Sequence, residues 1–94
     1  MADMLYLLEE FIHERRATPT EGSYTNSLFD TGINKIAQKV GEEAVEIVIA
    51  SKDDDHDAFR SEAADLLFHY LVLLNAKGSS LTEVAAELES RHSG

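Results

Sequence analysis

Two short stretches of this 94-residue chain carry side chains whose types and spacing could do chemistry together: KIAQKVGEEAVE, from Lys35 to Glu46, and EAAD, from Glu62 to Asp65. On a helix, residues three and four apart share a face. Glu42, Glu43 and Glu46 therefore fall within about one turn of one another, as do Glu62 and Asp65. Like charges at such spacing repel and weaken an isolated helix. Solvent and counterions offset that repulsion if the acids form an ordinary exposed face; a bound cation offsets it if they converge. Oxygen-only ligation in a chain without cysteine suits Mg²⁺ or Mn²⁺, which bind through a few carboxylates, waters and substrate phosphates.

Two features favour the cation. The apolar stripe of the first stretch runs beside Glu43 and Glu46, and Glu62 and Asp65 directly precede the most apolar run in the chain, LLFHYLVLL (Leu66 to Leu74). These acids are therefore expected at the core boundary, where a carboxylate needs a partner. Lys35 and Lys39 precede Glu42 on the same face, either as intrahelical salt-bridge partners or as ligands for phosphate oxygens beyond the metal. His69, four residues after Asp65, shares that face. It reads most simply as a satisfied polar group in the core, with a substrate contact or support of a metal ligand as the alternatives.

Four helices must position these residues. The first, about Met4 to Arg16, buries Met4, Leu5, Leu8, Phe11 and Ile12, with Asp3 placed to cap it. Pro19, Gly22 and neighbouring hydroxyl residues then mark a loop, and its Ser23-Tyr24-Thr25 run could donate hydrogen bonds to a ligand. The second helix, from about Asn26 or Gly32 to Ser51, buries Ile36, Val40, Ala44, Ile47 and Val48; Gly41 within it is either a tolerated accident or a point of close approach by a ligand or another helix. KDDDHD (Lys52 to Asp57) reads as a solvated turn whose aspartate caps the next helix rather than as a calcium loop. The third helix, about Ala58 to Ala76, is too apolar over Leu66 to Leu74 to face water on any side, so a second subunit is expected to cover part of it. Lys77 and Gly78 stop it, and Ser80 with Glu83 opens a fourth helix burying Leu81, Val84, Ala85 and Leu88 before a fraying tail from His92 to Gly94. Arg91 is expected in a surface salt bridge. The fold class is all-α, with one domain spanning residues 1–94 and helices packed into a dimeric bundle.

A formal net charge of −10, from 18 acids against 8 bases, excludes broad attraction to nucleic acid or anionic lipid. A phosphate-bearing substrate would have to arrive with metal. No basic leader precedes the apolar residues at the N-terminus, and no uninterrupted apolar span follows, so neither a signal peptide nor a membrane segment is read and a cytoplasmic protein is expected. No P-loop and no Gly-x-Ser-x-Gly elbow is present.

GEEAVE (Gly41 to Glu46) and EAAD (Glu62 to Asp65), with 15 residues between Glu46 and Glu62, resemble the E-E-x-x-E and E-x-x-D halves of the all-α, MazG-like nucleotide pyrophosphohydrolases. Within that group, SYTNSLFDTGINKIAQKVGEEAVE (Ser23 to Glu46), ADLLFHYLVLL (Ala64 to Leu74) and VAAELESR (Val84 to Arg91) are similar to the phosphoribosyl-ATP pyrophosphatase family of histidine biosynthesis. Phe68 stands where that family leads one to expect tyrosine. The resemblance covers Leu5 to Arg91. It implies Mg²⁺-dependent hydrolysis of phosphoribosyl-ATP to phosphoribosyl-AMP and pyrophosphate by a homodimer, here without a fused cyclohydrolase domain. Carried over by position, it makes Glu43, Glu46, Glu62 and Asp65 metal ligands and Glu42 the group that handles the attacking water. Lys35 and Lys39 would bind the polyphosphate, and Tyr24 and Thr25 would lie near the substrate. Two rivals remain: a house-cleaning pyrophosphatase acting on other nucleoside triphosphates, and a non-enzymatic helical interaction module whose acids are only a solvated face.

Overall fold

A computed structural model describes residues 2–92, and all regular structure in them is helical: α1 (Ala2–Ala17), α2 (Tyr24–Thr31), α3 (Ile33–Ala50), α4 (His56–Ala76) and α5 (Leu81–His92). The all-α class holds, but there are five helices among the described residues rather than four. The expected second helix begins at the later of its two candidate starts, directly after Gly32, and a separate short helix, α2, occupies the residues before it. Ser23, in extended backbone, starts α2 by accepting a hydrogen bond from Asn26 N–H on its hydroxyl. Gly32, at φ 89° and ψ 169°, then ends α2 and opens α3 in a region of backbone space that is essentially closed to side-chain-bearing residues.

The remaining termini follow local rules. Asp55 caps α4, its carboxylate accepting from Ala58 N–H at 3.0 Å, which bears out the solvated turn. The Ser80 hydroxyl accepts from Glu83 N–H at 3.2 Å. Glu9 on α1 completes the start of α5 by accepting from Leu81 N–H at 2.7 Å, a cap supplied from far along the chain. Asp3 is no cap: α1 already runs from Ala2, and the aspartate lies in its first turn, where it complements the helix dipole. The expected fraying of the tail falls largely on residues 93–94, outside the described residues.

The core is small. Ile12, Leu28, Ile36, Leu71 and Val72 are buried, and Leu5, Leu8, Phe29, Phe68, Leu73, Leu74, Ala76 and Leu81 pack around them. Arg16 locks three elements over this cluster: Nη1 donates to the Asn75 carbonyl at 2.7 Å and to Asn75 Oδ1 at 2.9 Å, while its guanidinium lies 5.2 Å from the Phe29 ring centre. The most extensive helix contact is between α3 and α4, the two helices that carry the acids.

Much apolar surface stays outside. Val45, Val48 and Ile49 form an exposed stripe on α3, so Val48, expected inside, is 56% exposed. On α4 the run Leu66 to Leu74 is covered only in part: His69, Leu71 and Val72 are buried, but Leu67 is 43% exposed. The radius of gyration, 14.5 Å, exceeds the roughly 12 Å of a compact chain of this length. Among the described residues, no helix is long and apolar enough to cross a membrane.

Gly32 sets the angle at which α3 leaves α2, in a backbone conformation that a side chain would strain. Gly32→Ala is expected to destabilise the fold by about 1–3 kcal/mol through backbone strain, since a Cβ there would touch nothing. Urea denaturation midpoints of the two proteins would show it; an unchanged midpoint would contradict the strain.

Candidate functional site

The packing of α3 against α4 turns two acidic helix faces toward one another. Glu43 from α3 and Glu62 and Asp65 from α4 each offer a carboxylate oxygen such that all three lie within 4.8 Å of one another. Glu43 is 13% exposed at its side chain and Glu62 is half-buried, so the core-boundary expectation holds for these two; Asp65 and Glu46 are exposed. Partial burial pushes the Glu62 carboxyl above its ordinary value of 4.5, and the charges of Glu46, Glu43 and Asp65, with a hydrogen bond to Glu43, push in the same direction. Glu46 is thus near enough to be felt by Glu62 but is not one of the three whose oxygens converge.

Three hard oxygen donors on two rigid helices fit a small divalent cation, with room left in its coordination shell for water and substrate oxygens. A soft metal would find neither thiolate nor imidazole in the group.

Glu42 is turned away from the cluster. Its carboxylate accepts from Gln38 Nε2 at 3.0 Å and lies 3.9 Å from Lys39 Nζ, with the side chain 53% exposed. Lys39 Nζ is also 3.9 Å from Glu43 Oε1, so this lysine spans the converging acid and the outlying one. Lys35 is exposed one helical turn earlier on α3. Gly41 is also exposed, and a Cβ built on it would meet no protein atom within 4 Å; close approach by another helix of the chain does not occur there.

Thr25 and His69 are buried, at 3% and 5% exposure, so neither meets a ligand without rearrangement. His69 is satisfied at both ring nitrogens: Nδ1 lies 2.7 Å from the Asp65 carbonyl, and Nε2 lies 2.8 Å from the Tyr24 hydroxyl. Tyr24 itself is 53% exposed, its ring stacked 6.0 Å from Phe68. The lysine-aspartate turn after α3 adds nothing to the site, and Arg91 pairs with Glu87 at 2.9 Å on the surface, as expected.

Sequence reasoning missed Asn26. Its Nδ2 donates to the Arg15 carbonyl at 2.6 Å and its Oδ1 accepts from Thr20 N–H at 2.8 Å, fastening the loop before Tyr24 to α1 and α2. The available signal was Ser23 three residues earlier, an N-cap that would have placed Asn26 inside a helix rather than at its start.

A sequence model of the family described as Phosphoribosyl-ATP pyrophosphohydrolase matches residues 5–92. The chain is 47% identical over 90 residues to Phosphoribosyl-ATP pyrophosphatase of Clostridium acetobutylicum, covering 96% of this chain and 82% of that one. The protein of the same name from Lacticaseibacillus casei is 49% identical over 84 residues, covering 89% of this chain and 76% of its own length. Histidine biosynthesis bifunctional protein HisIE of Bacteroides thetaiotaomicron is 51% identical over 89 residues, 95% of this chain; the chain spans only 44% of that longer protein.

The elevated Glu62 carboxyl has a definite sign. Because the folded state holds that proton to higher pH than the unfolded chain, metal-free stability falls as pH rises from 4.5 through the folded value. Glu62→Gln, which cannot ionise, should flatten that fall and leave the metal-free protein more stable at neutral pH. Urea midpoints in EDTA from about pH 4 to 7 would measure it; parallel profiles for the two proteins would refute the assignment.

Proposed function

The chain belongs to the phosphoribosyl-ATP pyrophosphohydrolase family, and from that premise we propose that it hydrolyses phosphoribosyl-ATP to phosphoribosyl-AMP and pyrophosphate in histidine biosynthesis. The observation that carries the reading is the convergence of Glu43, Glu62 and Asp65 on one point between α3 and α4. Three mutually repelling carboxylates at a half-buried seam are unfavourable for the protein alone and favourable for a cation bearing a polyphosphate.

Glu43, Glu62 and Asp65 would hold Mg²⁺, or Mn²⁺ in its place, with Glu46 as a fourth carboxylate beside them. When bound, the cation supplies charge neutralisation for the triphosphate and for the departing pyrophosphate. Glu42 stands apart with its carboxylate held by Gln38 and beside Lys39; its exposed side chain would have to turn toward the substrate to orient a water and accept its proton as the oxygen attacks phosphorus. Lys39 can exchange its carboxylate neighbours for phosphate oxygens, and Lys35 extends the positive strip along α3. No covalent intermediate is required: water's oxygen bonds to phosphorus, the bond to the pyrophosphate oxygen breaks, and the proton passes through Glu42 to solvent.

A cytoplasmic homodimer completes the proposal. The α3 stripe of Val45, Val48 and Ile49, together with Leu67 on α4, is the apolar surface that a second copy would cover. Light scattering is expected to give twice the chain mass, falling to the chain mass in Val48→Glu; a wild-type monomer would remove the dimer from the proposal.

The activity is tested by measuring pyrophosphate release from phosphoribosyl-ATP and from a panel of standard and damaged deoxynucleoside triphosphates, with and without Mg²⁺. Phosphoribosyl-ATP should be preferred, and turnover should require the ion. Glu43→Gln and Glu62→Gln should each lower turnover by at least about 100-fold with helicity intact. Preference for the panel would assign the chain a house-cleaning role, and full activity in either variant would overturn the carboxylate assignment.

A further inference from the structure

The acidic seam already carries one cation of its own. Lys39 Nζ lies 3.9 Å from Glu43 Oε1 and 3.9 Å from Glu42 Oε1. Among the described residues, no other basic side chain pairs with Glu42, Glu43, Glu46, Glu62 or Asp65. The Lys39 side chain is 31% exposed, and its ammonium rides on a flexible four-carbon stem, so it can swing off Glu43 without disturbing the core.

Support of α3 does not account for this placement. Intrahelical ion pairs stabilise better with the acid N-terminal to the base, and Lys39 precedes both of its partners. Lys35 lies in the first turn of α3, where the helix dipole disfavours a cation, and adds a like charge four residues before Lys39. It pairs with no acid among the described residues. Of two lysines that do little for their own helix, only Lys39 reaches the seam.

That contact acts in two directions. The ammonium relieves part of the repulsion that Glu43 shares with Glu62 and Asp65. By the same token it opposes a divalent ion, which competes for the Glu43 carboxylate and is repelled by the positive charge beside it. Charges of +1 and +2 a few ångströms apart at a partly exposed surface weaken ion binding roughly five- to tenfold. A polyphosphate reverses the balance, because its oxygens give the ammonium a second place to go.

We propose that Lys39 is the resting counter-ion of the seam and couples the two ligands of the site: it holds down the affinity of Glu43, Glu62 and Asp65 for a free divalent cation until a polyphosphate draws its ammonium away, so that metal and nucleotide enter together. The inference deepens the proposed function and rests on its carboxylate site and its lysine–phosphate exchange. Linkage makes the coupling reciprocal, so the metal-loaded seam gains affinity for polyphosphate by the factor that polyphosphate gains for it over metal.

The test separates the free ion from the ion carried by phosphate. Mn²⁺ alone, and an equimolar Mn²⁺–pyrophosphate complex, are titrated by calorimetry into wild type, Lys39→Met and Lys35→Met at about pH 8, where carboxyls are ionised, in about 0.15 M salt. Lys35→Met removes the same charge about 12 Å from Glu43 along the helix axis, beyond the Debye length of about 8 Å at that salt. Circular dichroism checks that helicity is kept, and Lys39→Gln provides a second variant with the same expected signs. Lys39→Met should bind free Mn²⁺ roughly five- to tenfold more tightly than wild type, with Lys35→Met within about twofold of wild type. The complex should show the opposite sign, with Lys39→Met binding it roughly tenfold more weakly, the size of one charge-assisted hydrogen bond. Free-ion affinity unchanged or lowered in both Lys39 variants would overturn the proposal, leaving the lysine a phosphate ligand or a helix salt bridge only. An equal gain in Lys35→Met, or full affinity of Lys39→Met for the complex, would also overturn it. Binding of Mn²⁺ by none of the proteins would remove it together with the carboxylate site. The expected opposite signs in a wild-type protein that fails to hydrolyse phosphoribosyl-ATP would refute the proposed substrate and leave the coupling standing.

Discussion

Mutual repulsion among carboxylates at the seam of α3 and α4 is the constraint against which the rest of this structure is built. Glu43, Glu62 and Asp65 are brought within 4.8 Å where α3 packs on α4, and Lys39, at 3.9 Å from Glu43, offsets only part of their charge. The response is visible at Glu62, whose carboxyl is pushed toward its protonated form by partial burial and by its acidic neighbours. Such a site is stable only if the helices that carry it are secured elsewhere, and local frustration of this kind is expected where a protein must bind something.

The securing elements are mostly single polar links over a small apolar core. Arg16 clamps the ends of α1 and α4 and stacks on Phe29 of α2, Asn26 fastens the loop that precedes α2, and Glu9 holds the first turn of α5. Each links segments that are distant along the chain or would otherwise be loose, and each bonds at least one backbone group at a helix end or in a loop. The division of labour is clear: apolar residues hold α1, α2, α3 and α4 together near Ile12 and Val72, while polar links determine how the ends and loops are seated around them.

What could be read from the sequence was what depends on neighbours along the chain. Helical periodicity gave the all-α class and the acidic faces of α3 and α4, while Asp55 and Ser80 announced the helices they start. Gly32 was one of two candidate starts for the second helix, but the sequence pattern did not choose between them, and the positive φ there marks the break between α2 and α3. Val48 matched the buried stripe by spacing but faces outward, since the covering chain segment that spacing presumes is not supplied by the same chain. Spacing put five acids on two faces; tertiary packing decided that Glu42 would turn away and Asp65 inward to the group. The bond from Tyr24 to His69 joins residues 45 positions apart, beyond any local pattern.

The converging acids also occupy a short interval of chain. Residues 43 to 65 lie on consecutive helices joined by the turn that ends at the Asp55 cap, so their approach requires closing only a short loop. Contacts of such low sequence separation form early and quickly, before distant pairings such as α1 with α4 are complete. The repulsion at the site is therefore met during folding rather than only in the finished molecule. On the proposed reading, a divalent ion that relieved it would act on the rate at which the α3–α4 hairpin closes, and metal availability would enter the kinetics of folding as well as the chemistry of the mature site.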